Sequence, residues 1–257
     1  MDGLWALYDE LLSHIPEDPV RACLVGRSWT LVETDSAVGM AMTIGGHGVR
    51  SQLTLPLAGR PLRDLAEHVR SWNLAEASLG LAALNAHYND PARLRRWLGD
   101  DFGAAGAGTV FSAMEDELAD KSVAVIGHFP DLERLRERCR LTVFERQPQK
   151  DDVPDYAEDY LLPLQDYVFI TGVTLTNKTL PHILEMCGDA YVVLVGPSVP
   201  LTPIWFAWGV DMLAGTVVVD GHGVWQVTQE GGCREVWSQG AAAVEVRAES
   251  LAPALFA

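Results

Sequence analysis

Five short polar runs in this chain of 257 residues carry groups able to do chemistry, and each follows an apolar stretch. In VAVIGHFPD, residues 123–131, four apolar residues lead into Gly127. A buried parallel strand enters a nucleotide-binding turn in this way. The next residues are His128 and Phe129, where a dinucleotide fingerprint needs a second glycine so that the backbone can approach a pyrophosphate. Glu145 stands 18 residues after Gly127, the place of the acid that bonds a ribose hydroxyl in dinucleotide enzymes. With the acid present and the glycine missing, the pattern speaks against a dinucleotide and leaves an adenosyl-type ligand open. His128 has three readings: an imidazole that binds a metal or ligand at a crevice, an acid or base, or a partly buried histidine satisfied by a backbone carbonyl.

The other runs are TGVTLTNKT (171–179), GPSVP (196–200) and DGHG (220–223). In the first, Thr176, Asn177 or Thr179 can cap a following helix. The run holds more such groups than one cap needs, and the surplus could hold a polar or anionic ligand group beside the helix dipole. In GPSVP two prolines stiffen the backbone around Ser198. A nucleophile elbow would end in glycine where Pro200 stands, which argues against a hydrolase serine. His182 and Glu185, three apart on a helix, form a solvated pair or share a cation. His47 and His222 lie in glycine-flanked turns with no visible partner. In SWNLAEASLGLAALNA (71–86), Ser71 or Asn73 caps a helix and Glu76 completes a near capping box. Asn73, Glu76 and Asn85 are the polar positions of an otherwise apolar helix.

These groups need elements to position them. Leu4, Leu7, Tyr8, Leu11 and Leu12 recur at helical spacing. Residues 20–25, 29–33 and 38–44 read as three strands, the first two joined by a hairpin turn at Gly26-Arg27-Ser28. Helices follow at 62–69 and 74–86, making an α+β unit. GDDFGAAGAGT (99–109) reads as a linker, and residues 114–118 as a short helix. From Val123 onward, apolar strands at 123–126, 141–144, 167–170, 191–195 and 216–219 alternate with helical stretches at 132–138, 180–187 and 204–213. Continuous apolar strands separated by helices mean a mainly parallel sheet covered on both faces, a Rossmann-like plan. In such a sheet ligands bind beyond the carboxyl ends of the strands. DDVPDYAED (151–159) reads as a solvated acidic loop.

Composition sets the outer limits. The chain is 48% hydrophobic, with net charge −16 and a pI near 4.7. It has core enough for one large domain or two modest ones. Its negative field repels nucleic acid and anionic membrane. Cys23, Cys139, Cys187 and Cys233 lie far apart, without zinc-finger spacing. The N-terminus lacks the basic and apolar regions of a signal peptide, and no apolar run is long enough to span a bilayer. A cytoplasmic protein with reduced thiols is expected.

VAVIGHFP, FERQP, FITGVTLTNKTL, VLVGPSVPLTP and LAGTVVVD together resemble the family described as "Putative heavy-metal chelation". TIGG and SWNLAEASLGLAALNA resemble its N-terminal partner domain. The likeness extends over nearly the whole chain. It implies an enolase N-terminal-like α+β domain over 1–118, a Rossmann-like α/β domain over 119–257, and a ligand site in the cleft between them. The positions it carries over are Gly127, His128, Glu145, Thr171, Gly172, Asn177, Gly196, Pro197 and Ser198, faced by Asn73 and Glu76. His128 and Glu145 are the metal candidates, for a divalent or heavy-metal ion. The functions expected are metal chelation or binding of a metal-bearing small molecule. The alternatives are an enzyme on a nucleotide-like or pterin-like molecule, such as an adenosyl-dependent transferase, and a regulatory module acting through a partner protein. Trp205, Phe206 and Trp208 read as core or dimer contact, and a homodimer is a further expectation.

Overall fold

A computed structural model describes residues 3–45, 49–100, 102, 109–130 and 132–250. Gly46, His47 and Gly48, most of the expected linker, and Asp131 lie outside the described residues. Helix α1 (Gly3–Ser13) forms as its spacing dictates, with Leu7, Tyr8, Leu11 and Leu12 all buried. Strands β1 (Ala22–Val25), β2 (Trp29–Glu33) and β3 (Val38–Met42) make a small antiparallel meander. Its first turn closes where Gly26 N donates to Trp29 O. Helices α2 (Leu62–Ala66), α3 (Leu74–Tyr88), α4 (Pro91–Leu98) and α5 (Val110–Ala113) follow. Nearly every residue of α3 is buried. One side covers β2 and β3, and another meets the second half of the chain, so an apolar surface all round is what its position requires.

The second half runs β4 (Ser122–Ile126), α6 (Leu132–Arg136), β5 (Arg140–Glu145), β6 (Val153–Pro154), α7 (Glu158–Leu161), β7 (Tyr167–Thr171), α8 (Val173–Asn177), α9 (Leu180–Met186), β8 (Tyr191–Val195), α10 (Ile204–Ala207), β9 (Met212–Val218), α11 (Gly221–Gln229) and β10 (Ala241–Arg247). The sheet order is β10-β9-β8-β7-β4-β5-β6, parallel throughout except for β10 on β9. The chain therefore builds outward in one direction from β4 and in the other from β7, and reverses between them. Residues alternate faces: Val123 and Val125 pack with Phe111 and Phe169 in one apolar cluster, while Ala124 and Ile126 join α1 and α3 in another. Both faces of the sheet are covered, which explains the unbroken apolar runs. Among the described residues no helix is long and apolar enough to cross a membrane.

Four expectations need correction. Residues 114–118 are not a helix: α5 ends at Ala113 and turns follow it. The stretch 204–213 is not one helix: α10 ends at Ala207, Gly209 takes a φ of 81° that breaks it, and β9 starts at Met212. Residues 151–159 are not simply a solvated loop. Val153 and Pro154 form the edge strand β6 beside Phe144 and Glu145, an edge being where a strand tolerates proline. His222 sits inside α11, capped by Asp220, rather than in a turn.

Candidate functional site

At the end of β4, Gly127 turns the chain with a φ of 95° while its N–H still donates to Phe144 O. Glycine adopts this φ without steric cost, and the turn carries the chain past the strand end to His128. Its Nε2 lies 2.7 Å from Asp152 Oδ2, with the imidazole 41% exposed and the carboxylate 3% exposed. Asp152 also accepts from Gln149 N at 2.8 Å. Burial works against its charge, but the bonds from His128 and from Gln149 N prevail and hold it below the usual carboxylate range. An ionised carboxylate only accepts, so His128 Nε2 carries the proton and Nδ1 is left as a lone pair when the ring is neutral. No hydrogen bond engages Nδ1 among the described residues. A carboxylate orienting one imidazole nitrogen is the arrangement that fixes a histidine for ligation or for acid–base work.

Phe129 answers the glycine question. A Cβ on Gly127 would meet its ring at 3.8 Å, and a Cβ on Gly196 would meet it at 3.6 Å. The ring therefore covers the ends of β4 and β8 and packs edge-on against Phe111. It stands on the ground where a pyrophosphate would approach. Beside it is an open depression of about 490 Å³ lined by His128, Phe129, Leu132, Glu133, Arg134 and Arg136.

The remaining expected residues divide. Register places Glu145 at the strand end next to Gly127, but its Oε2 accepts from Arg146 N at 2.6 Å and Gln147 N at 3.4 Å. His128 bonds to Asp152, and no bond joins it to Glu145. Thr171 packs its methyl against Gly127, and Asn177 Oδ1 accepts from the amide and hydroxyl of Thr179. A Cβ on Gly172 would fall 2.6 Å from Ser198 C, so only glycine lets these two turns touch. Gly196, Pro197 and Ser198 form a seat for the first half of the chain. Ser198 Oγ accepts from Met42 N at 2.9 Å and Pro197 O from Asn85 Nδ2 at 3.3 Å. Asn89 fastens the same turn, bonding Val199 O, Thr216 O and Leu201 N. Asn73 caps α3 through Ala75 N and Glu76 N. Glu76, 2% exposed, accepts from Ser51, Gln52, Leu53 and Ser71. Burial opposes its charge, and those bonds hold it below the usual range. Trp205 is core, its Nε1 on Pro200 O.

Sequence reasoning missed Asp152, hidden in an acidic run. The signal was the Val-Pro pair after it, which reads as an edge strand and carries Asp152 to the strand ends. It also missed Lys178, at a φ of 68° and 6% exposed. Its ammonium donates to Ser71 O and Thr176 O across the junction of the two halves.

Family comparison follows the same two halves. One family, DUF4213, matches residues 8–88 and a second, DUF364, matches residues 110–247; both are described as "Putative heavy-metal chelation". The chain belongs to this family. It is 32% identical over 211 residues, 75% of each chain, to an uncharacterized protein of Methanocaldococcus jannaschii. A family protein of unknown function from Desulfitobacterium hafniense superimposes with a TM-score of 0.87 at 34% identity, covering 96% of this chain and all of that one. Another from Pyrococcus horikoshii gives 0.78 at 23% identity, over 95% and 99%, a likeness of fold alone.

The family description can be tested against the donors. A closed site for a soft or borderline metal takes about four nitrogen or sulfur ligands. Among the described residues no three His, Cys, Asp or Glu side chains converge, and the cysteines are free. His128 Nδ1 is one donor. The described side chains do not fit chelation of a bare ion.

Proposed function

We propose that this protein binds a small molecule at the carboxyl edge of its parallel sheet, with His128 as the polar anchor and Asp152 orienting it. The buried carboxylate 2.7 Å from a half-exposed imidazole carries the proposal. Gly127 frames the turn, with Thr171 and Gly196 behind it and Glu145 at the next strand end. One free imidazole nitrogen is too little to hold a naked metal ion, so a metal would arrive on a ligand that brings most of its own donors. The proposed organisation is a Rossmann-like domain over 119–257, for which the reversal between β4 and β7 is the support, and an enolase N-terminal-like domain over 1–118.

The same reversal favours a second reading, a nucleotide-like or pterin-like substrate, because open sheets bind such molecules at that point. Against it, Phe129 occupies the crevice and Glu145 is turned onto its own loop.

Native and elemental mass spectrometry of tag-free protein from cell extract test the primary reading. About one small molecule, with or without metal, should remain per chain. His128→Ala should lose it, and Asp152→Asn should weaken retention about 10–100-fold, the usual cost of removing an orienting carboxylate. Retention unchanged in both variants would refute the assignment.

A further inference from the structure

The stretch DYAEDYLLPL (155–164) is helical from end to end: a turn at Asp155–Ala157, helix α7 and a turn at Leu162–Leu164 follow one another without a break. Its faces are inverted. Glu158 and Leu162 are buried, while Tyr156, Tyr160 and Leu164 stand 79%, 77% and 69% exposed. A helix on a protein surface ordinarily buries its apolar side chains and exposes its acids. Single exposed apolar residues are common on any surface, and Leu55, at 75%, is one. Here three of the four most exposed large apolar side chains among the described residues fall within nine positions. They are spaced by four, which sets them on one side of the helix.

The stripe presents roughly 400 Å² of surface. Patches of that size on a monomer are often contact surfaces. The acids beside it are already engaged within the chain: Arg146 Nε lies 3.1 Å from Asp155 Oδ2, and His182 Nε2 lies 2.9 Å from Asp159 Oδ1. The rim therefore calls for no basic partner. The stretch is instead complementary to itself. Its acids, Asp155, Glu158 and Asp159, stand in the first half, and residues 161–165 carry no charge. A two-fold axis through Tyr160 lays the acidic half of each copy over the uncharged half of the other. It also brings Tyr156 of each copy against Leu164 of the other. A parallel pair would set acid on acid. Two stripes bury about 800 Å² between them, half of a standard interface of about 1,600 Å², and a polar rim supplies the rest.

We propose that this stripe is the self-complementary contact of a homodimer, with Tyr160 on its two-fold axis. The proposal stands whether or not His128 holds a ligand. It moves the dimer contact expected from the sequence away from Trp205, which is core.

The test is sedimentation velocity of the full-length chain. The net charge of −16 opposes association, so the buffer carries about 0.15 M salt to screen it. Between about 1 and 100 μM the wild type should show a monomer–dimer equilibrium with a Kd of about 10 μM or tighter. Tyr160→Asp places two carboxylates on the axis and Tyr160→Lys two ammonium groups, so each variant alone should be monomeric. The side chain is exposed, and both variants should keep the wild-type circular dichroism. Mixed one to one they should pair again, because a two-fold axis at this residue sets opposite charges together. Leu55→Asp, equally exposed but on another segment, should dimerise like the wild type. Four results would each overturn the proposal. These are a wild type still monomeric at about 100 μM, a dimer that persists in Tyr160→Asp, variants that stay apart when mixed, and equal loss of the dimer in Leu55→Asp.

Discussion

Glu158 at the start of α7 should make this protein lose stability as pH rises through neutrality. Its side chain is 8% exposed. Burial, helped by the nearby charges of Asp155 and Asp159 and opposed by Arg146 and His182, pushes its carboxyl up from 4.5 to about 7. The folded state therefore binds this proton more tightly than the unfolded chain does. Between about pH 4.5 and 7 the folded form holds more proton, so stability falls as pH rises and the loss is complete above the folded value. A shift of this size corresponds to at most about 3 kcal/mol. Glu158→Gln keeps shape and polarity but cannot ionise. In urea titrations it should match the wild type within about 1 kcal/mol at pH 5 and exceed it by about 1–3 kcal/mol at pH 8. Asp159→Asn, on the exposed neighbour, should change stability by less than about 0.5 kcal/mol at either pH. The net charge also changes with pH, but it does so almost equally in wild type and variant, so the difference between them isolates Glu158. A Glu158→Gln effect of the same size at pH 5 and pH 8 would refute the reasoning.

Other outcomes follow from the junction between the halves. Asn89→Ala strips three buried hydrogen bonds from the 199–201 turn and Thr216, and should cost about 3 kcal/mol or more in denaturant titration. Gly172→Ala drives a Cβ to 2.6 Å from the Ser198 backbone. It should cost about 3 kcal/mol or give insoluble protein, whereas Gly3→Ala, where nothing lies within 4 Å, should stay soluble. Burial pulls the Lys178 ammonium down from 10.5 to about 8. The unfolded chain then binds more proton between about pH 8 and 10.5, so wild-type stability should gain with pH there relative to Lys178→Met, as followed by thermal unfolding.

The legible parts of this chain were those where one physical cause dominated. Both faces of the large sheet are covered, so its strands are continuous apolar runs and stood out. The antiparallel strand β10, AAAVEVR, did not, because small residues and a half-exposed edge blur its period. At 204–213 a helix and a strand share one apolar stretch, and periodicity alone does not divide them. The strand ends at 127, 145, 171 and 196 were legible along the chain, but that His128 and Glu145 stand at neighbouring strand ends was not; only the pairing of β4 with β5 supplies it. What each group does there was not legible, because polar side chains at strand ends serve two demands. Ser198 and Asn85 satisfy the docking of α3 and β3, and Glu76 ties the 51–53 segment to its helix. Asp152 differs from the more exposed His182–Asp159 pair in being a buried carboxylate that leaves the His128 ring half in solvent.

That division bears on the family description. The junction between the halves is rich in polar groups, which invites a metal reading, but most of them are spent on backbone donors and acceptors that burial would otherwise strand. Asn89 spends all its bonds on the 199–201 turn and Thr216, and Lys178 meets two carbonyls rather than a carboxylate. Each holds the two halves in register without leaving a lone pair for a ligand. His128 is different because it follows the strand end and, among the described residues, hydrogen bonding engages only its Nε2, through Asp152. The half-exposed imidazole that Asp152 orients at the carboxyl edge of the sheet supports the proposal that a metal would reach this site only inside a molecule that brings most of its own donors.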